Sequence, residues 1–196
     1  MAEQGDDLTP DETPGYKPPA EKKLAEMVNL DTEDESLRKY KEQLLGTAAI
    51  GAENTAPFPE DPRNVIITKM ALLVDGRPDV ELDLTGDLSK KFDKITMKEG
   101  CKYKIKIYFY VQREIVPGLK FVLKTSRKGI SVDKESHMVG SYGPRKEIHT
   151  YTTPPEDCPS GMIARGNYSV KSLFTDDDKN EILRWEWHFE IKKDWD

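Results

Sequence analysis

The sequence predicts a mainly β protein: a β-sandwich over residues 63–196, preceded over residues 1–62 by a flexible acidic arm with one or two short helices. Three observations lead there. Residues 1–58 carry thirteen acids against six bases, and 59–196 carry 23 against 24, so the net charge of −6 is concentrated in the leader. Beyond Arg63 the apolar residues recur with period two, the mark of half-buried strands. Between those runs lie turn residues and no helical pattern, which is how stacked antiparallel sheets are written.

The first 22 residues hold Pro10, Pro14, Pro18 and Pro19 among acidic and small residues. They carry too little apolar surface to offset the entropy of ordering, so they are expected to be disordered in isolation. Leu24, Met27 and Val28 then recur at helical spacing, enough for one short amphipathic helix. A stronger helix is predicted over about 32–45, because Thr32 with Glu35 fits a capping box and Leu37, Tyr40, Leu44 and Leu45 form an apolar stripe ending at Gly46. A helix of that length is marginal alone in water, so its stripe must rest on the sandwich or on a partner. The Ala- and Pro-rich run from Gly46 to Arg63 marks the domain boundary.

Strand patterns follow at Val65–Val74, Val80–Leu84, Cys101–Val111, Leu119–Ser126, Ser136–Tyr142, Asn167–Thr175 and Ile182–Lys192. The clearest is the last, with Leu183, Trp185, Trp187, Phe189 and Ile191 on one face and Arg184, Glu186, His188 and Glu190 on the other. In the third, Tyr103, Ile105, Ile107, Phe109 and Val111 oppose Lys102, Lys104 and Lys106. Asp75-Gly76, Pro117-Gly118, Lys128-Gly129 and Tyr142-Gly143-Pro144 supply the turns. Seven to nine short strands without intervening helices make a sandwich.

Composition excludes several function classes. No run approaches the ~18 apolar residues of a membrane span, and the acidic start is unlike a secretion signal, so the cytoplasm is the expected compartment. Cys101 and Cys158 have the separation of an inter-sheet bridge, yet no Trp follows the first of them closely, and free thiols are expected. His137, His149 and His188 lack zinc-motif spacing, and the glycines form no phosphate-cradling loop, so neither a catalytic centre nor a metal site is expected. The lysine stripe lacks the interleaved aromatics of an RNA-binding sheet and reads as a wet face. Asp176-Asp177-Asp178 reads as a solvated hairpin end, an acidic docking corner or, least simply, a metal loop.

Long ordered segments then carry a resemblance: YKPPAEKK (Tyr16–Lys23), DESLRKYKEQLLG (Asp34–Gly46), ELDLTGDL (Glu81–Leu88), MVGSYGPR (Met138–Arg145), ARGNYSVKS (Ala164–Ser172), FTDDDK (Phe174–Lys179) and WEWHFEIKKDW (Trp185–Trp195). In these the chain resembles the Rho GDP-dissociation inhibitors. The resemblance implies an immunoglobulin-like sandwich with a regulatory arm, a non-enzymatic binder of prenylated, GDP-bound Rho-family small GTPases that retains their GDP and removes them from membranes. It also implies a slot for the geranylgeranyl group lined by Leu72, Ile95, Tyr103, Ile115, Ile163, Val170, Trp185 and Trp187, positions that read as plain core without it. Asp34, Leu37 and Tyr40 would meet the GTPase switch region, and Asp133 and Asp178 its basic surface. Implied too are a monomer in a 1:1 complex, no cofactor, no nucleic acid and no stable membrane insertion; a general carrier of prenylated proteins is the alternative.

The chain departs from the family pattern at Ile95, where Phe is usual, at His137, where Tyr is usual, and at Ile148 and His149, inside a stretch usually acidic and aromatic. Fewer acids there would weaken attraction to a polybasic segment and bear on which GTPases are preferred.

Overall fold

The computed structural model describes Leu8, Lys39, residues 56–88 and residues 92–195. The expected helix over 32–45 lies outside the described residues except for Lys39, which is helical and exposed.

Ten strands form two sheets: β1 (Val65–Val74), β2 (Val80–Asp83), β3 (Ile95–Lys98), β4 (Lys102–Val111), β5 (Val116–Arg127), β6 (Ile130–Tyr142), β7 (His149–Thr152), β8 (Glu156–Asp157), β9 (Gly166–Thr175) and β10 (Glu181–Lys192). One sheet runs β2-β1-β4-β7 with β8 also on β4, and the other runs β3-β10-β9-β5-β6. Every pairing is antiparallel except β3 with β10. The sandwich expected from the periodicity is therefore present, with strands β3, β7 and β8 added to those the pattern announces. Each of the three is at most four residues long, too short to display a period.

The alternation in β4 and β10 fixes the register of the two layers. Ile105, Ile107, Phe109 and Val111 point inward from β4, and Trp185, Trp187 and Ile191 from β10, into one continuous core. A slip of one residue would turn both sets out to water, so register and burial enforce each other. On the outer face of β4, the ammonium groups of Lys69 and Lys106 sit 4.5 and 4.9 Å from the Tyr108 ring centre, making the lysine stripe a solvated face with cation–π contacts.

Strand β6 begins six residues earlier than the pattern suggests. Its first half pairs with β5 beyond the edge of the sandwich, leaving Ile130 70% and Val132 53% exposed. The hairpin turns at Lys128-Gly129, whose φ angles of 51° and 80° are those of a two-residue turn with both centres left-handed. Leu8, from the leader, is fully buried against Val122 and Leu173, a cross-strand pair on β5 and β9.

Candidate ligand-binding site

A sandwich has two open flanks where its edge strands face each other, and here they differ. On one flank β2 and β3 leave a cavity of about 610 Å³ walled by Leu72, Val74, Val80, Leu82, Phe92, Ile95 and Trp195. That volume lies in the usual range for small-molecule sites. The flank stays open because β2 is only four residues long, returning from β1 through Asp75-Gly76, with Gly76 at φ 76°. Arg77, Asp79, Glu81, Asp83 and Lys94 ring the opening, and the Arg77 guanidinium lies 4.2 Å from the Trp195 ring centre.

The core between the sheets holds an aromatic column. Phe121 stacks on Trp185 with ring centres 5.8 Å apart and planes 10° apart, and it also meets Phe174 and His137. The Trp187 indole N–H donates to Ser172 Oγ at 3.1 Å. The Trp185 N–H is buried and has no acceptor within hydrogen-bonding reach among the described residues. An unmet donor of this kind costs about 1–3 kcal/mol, which a core built only for stability avoids.

The opposite flank, between β6 and β7–β8, is closed by polar groups. Tyr103 O–H donates to Glu156 at 2.8 Å, and His137 Nε2 lies 3.0 Å from Glu135 and 3.9 Å from Glu156. Glu135 also shares hydrogen bonds with Glu156 and Asp133. Burial and then the neighbouring Glu135 push the Glu156 carboxyl up, while the hydrogen bond from His137 holds Glu135 low. The His137 imidazole is raised above its ordinary value by the hydrogen bond to Glu135. Burial and the Glu156 partner raise the Tyr103 phenol far above its ordinary value.

Next to this cluster, His149 is 4% exposed, stacked on Phe109 at 5.4 Å and edge-on to Tyr142 at 4.9 Å, with Nε2 3.1 Å from the Gly143 carbonyl oxygen. Burial lowers its pKa to about 4, so the neutral ring donates that hydrogen bond. His149 is thus a core residue standing at an aromatic position of the family stretch, and the acids lost there fall at Ile148 and Thr150, which are both exposed.

Six of the eight positions assigned to the slot share the core: Leu72, Ile95, Val170, Trp185 and Trp187 lie in one buried cluster, and Tyr103 packs against it. Leu72 and Ile95 line the cavity, and Val74, also in its wall, registers opposite Tyr103 across β1 and β4. Ile115 is half-buried outside that cluster. Ile163 is 89% exposed, in a loop whose carbonyls accept from Arg127 at Ile163 and Arg165. Asp133 is exposed on the projecting hairpin and Asp178 half-buried at the β9–β10 turn. Asp34, Leu37 and Tyr40 lie outside the described residues.

The acids at that turn have internal work. Asp176 accepts from the Asn180 backbone and side-chain amides at 2.9 Å, and Asp177 pairs with Lys120 at 3.1 Å. Cys101 and Cys158 are neighbouring free thiols, linked by the Cys158 N–H to Cys101 carbonyl hydrogen bond of 2.8 Å. Burial pushes the Cys158 thiol up to about 12, far from a reactive thiolate.

A two-sheet sandwich with an apolar-walled cavity on one flank and an aromatic column in its core is the scaffold of a β-sandwich binding protein. The comparisons name the group: residues 2–194 match the family of RHO protein GDP dissociation inhibitors, and the chain belongs to it. It is 53% identical over 182 residues to human Rho GDP-dissociation inhibitor 1, covering 92% of this chain and 86% of that one. Rho GDP-dissociation inhibitor 1 of the rat is also 53% identical over the same shares, and human Rho GDP-dissociation inhibitor 3 is 44% identical over 97% of this chain and 83% of its own.

Proposed function

We propose that this protein binds prenylated, GDP-bound Rho-family small GTPases, retains their nucleotide and carries them from membranes into the cytoplasm as a 1:1 complex, without catalysing a reaction. The observation that carries this reading is the cavity of about 610 Å³ on the β2–β3 flank, in a chain that matches the inhibitor family over residues 2–194.

The physics explains the demand for such a cavity. At about 0.8 kcal/mol per methylene, a fully buried twenty-carbon chain holds to the bilayer by about 16 kcal/mol, more than polar surface contacts can readily offset. A dry slot between sheets ~10 Å apart supplies a comparable environment. Here the prenyl chain enters at Leu72 and Ile95 and reaches Val170, Trp185 and Trp187 by parting the two layers. The short β2 supports an opening at this end, and the unmet Trp185 N–H supports a core not packed for stability alone.

The acidic leader, with Asp34, Leu37 and Tyr40, grips the switch region and blocks nucleotide release. The test uses liposomes loaded with geranylgeranylated GTPase: the purified chain is expected to move the protein to the supernatant and to slow GDP release. Retention on the liposomes across several Rho-family members overturns the reading. Removing residues 1–58 separates it from a general prenyl carrier, because the truncated chain is expected to lose its block on GDP release while still binding lipid.

A further inference from the structure

On the β6/β7–β8 flank Tyr103, one of the positions assigned to the slot, also belongs to a polar cluster with Glu135, His137 and Glu156. Glu135 and His137 stand at i and i+2 of β6, so both side chains leave the strand on one face. Glu156 reaches them from β8 in the other sheet. One nitrogen and one oxygen from each carboxylate lie within 4.8 Å of one another, with two of the separations 3.0 and 3.9 Å. Donors held about 2.0–2.2 Å from a zinc ion in tetrahedral array are about 3.4 Å apart, so the three atoms already bracket the required triangle.

Charge points the same way. Glu135 touches both the exposed Asp133 and Glu156, and Glu135 and Glu156 share a single imidazole, which leaves a surplus of negative charge in a half-buried recess. Carboxylates pressed together need a proton or a cation between them. The Tyr103 O–H donates to the Glu156 oxygen that does not face His137, which fixes the orientation of that carboxylate as outer-shell groups do in metal sites.

We propose that Glu135, His137 and Glu156 form a binding site for a divalent transition-metal ion of the Zn²⁺ class, joining the edge of one sheet to the edge of the other. An imidazole with two carboxylates suits zinc better than calcium or magnesium, which take six or more oxygens or demand an octahedral shell. Three protein donors leave a fourth position for water. The metal ties β6 to β8 beside the Phe121–Trp185 stack, so its occupancy governs how far the two layers part at that flank.

The test is calorimetric titration of Zn²⁺ into the full chain after dialysis against a chelator, with Co²⁺ absorption as a second, spectroscopic readout. One ion per chain is expected in the saturable phase, with Co²⁺ ligand-field bands. His137→Asn and Glu156→Gln are each expected to weaken binding at least about tenfold and abolish the bands. His188→Asn, on the outer face of β10, leaves both unchanged. No saturable binding, or binding that survives both site variants, overturns the proposal, and would mean that the carboxylates share a proton instead. Glu156→Gln is isosteric, so it reports even if the histidine variant fails to fold.

Discussion

The two flanks of this sandwich are made of opposite materials. Between β2 and β3 the layers are separated by a cavity with apolar walls, whereas between β6 and β7–β8 they are held together by His137, Glu135, Glu156, Tyr103 and the buried His149. Hydrophobic contacts are non-directional and re-form around a guest, while hydrogen bonds between partly buried polar groups are lost if their geometry changes. A hinge is expected on the polar side and a mouth on the apolar side.

The largest effect expected is at the centre of the aromatic column. Phe121 is fully buried and touches Trp185, Phe174 and His137, so Phe121→Ala is expected to lower unfolding free energy by about 3–5 kcal/mol in denaturant titration. Ile163→Ala, at an 89% exposed position, stays within about 0.5 kcal/mol. Equal losses would break the account of where the core ends.

A pH titration separates the flanks next. His149 has a folded pKa of about 4, below the ordinary histidine value, so the fold favours its neutral form. Its contribution is fully present above about pH 6.5 and is lost as pH falls through about 4, amounting to about 3 kcal/mol. His149→Gln should flatten that acid limb in urea midpoints measured from pH 7 to 4. His137 runs the other way: its raised pKa means stability present below about 6.5 and lost as pH climbs through the folded value. The cavity lining contains no histidine, so the neutral-range response belongs to the polar flank.

Filling the mouth sharpens the comparison further. Ile95→Trp places a larger side chain into the cavity wall and is expected to change stability by less than about 1.5 kcal/mol, because empty volume is at hand. Extraction of geranylgeranylated GTPase from liposomes should fall at least about tenfold, equivalent to about 1.4 kcal/mol of binding. A smaller loss is expected from Tyr103→Phe, which removes the hydrogen bond to Glu156 and should cost about 1 kcal/mol in thermal unfolding.

Much of this was legible in the sequence, and the rest was hidden for physical reasons. The inward faces of β4 and β10 were plain, because Ile105, Ile107 and Phe109, like Trp185 and Trp187, alternate over a buried layer. The first half of β6 was not, since Ile130 and Val132 project past the sandwich and no core imposes a polar partner face. The apolar members of the cavity wall were visible only through family resemblance, because an inward Leu72 or Ile95 looks like any core residue. The polar cluster escaped altogether: Glu156 stands nineteen positions after His137 and in the opposite sheet, so only the stacking of the layers brings them together. His149 stood out in the sequence only as a departure from the family pattern, and its burial against Phe109 shows a core role.

The most direct test of the central claim follows the tryptophans themselves. Trp185, Trp187 and Trp195 can be labelled with 5-fluorotryptophan and assigned by single Trp→Phe changes, then observed by ¹⁹F NMR as a geranylgeranylated GTPase C-terminal peptide is added. The Trp185 and Trp187 resonances are expected to shift together with that of Trp195, while the unprenylated peptide moves none of them. Binding of the prenylated peptide with the Trp185 and Trp187 signals unmoved would contradict a slot between the sheets.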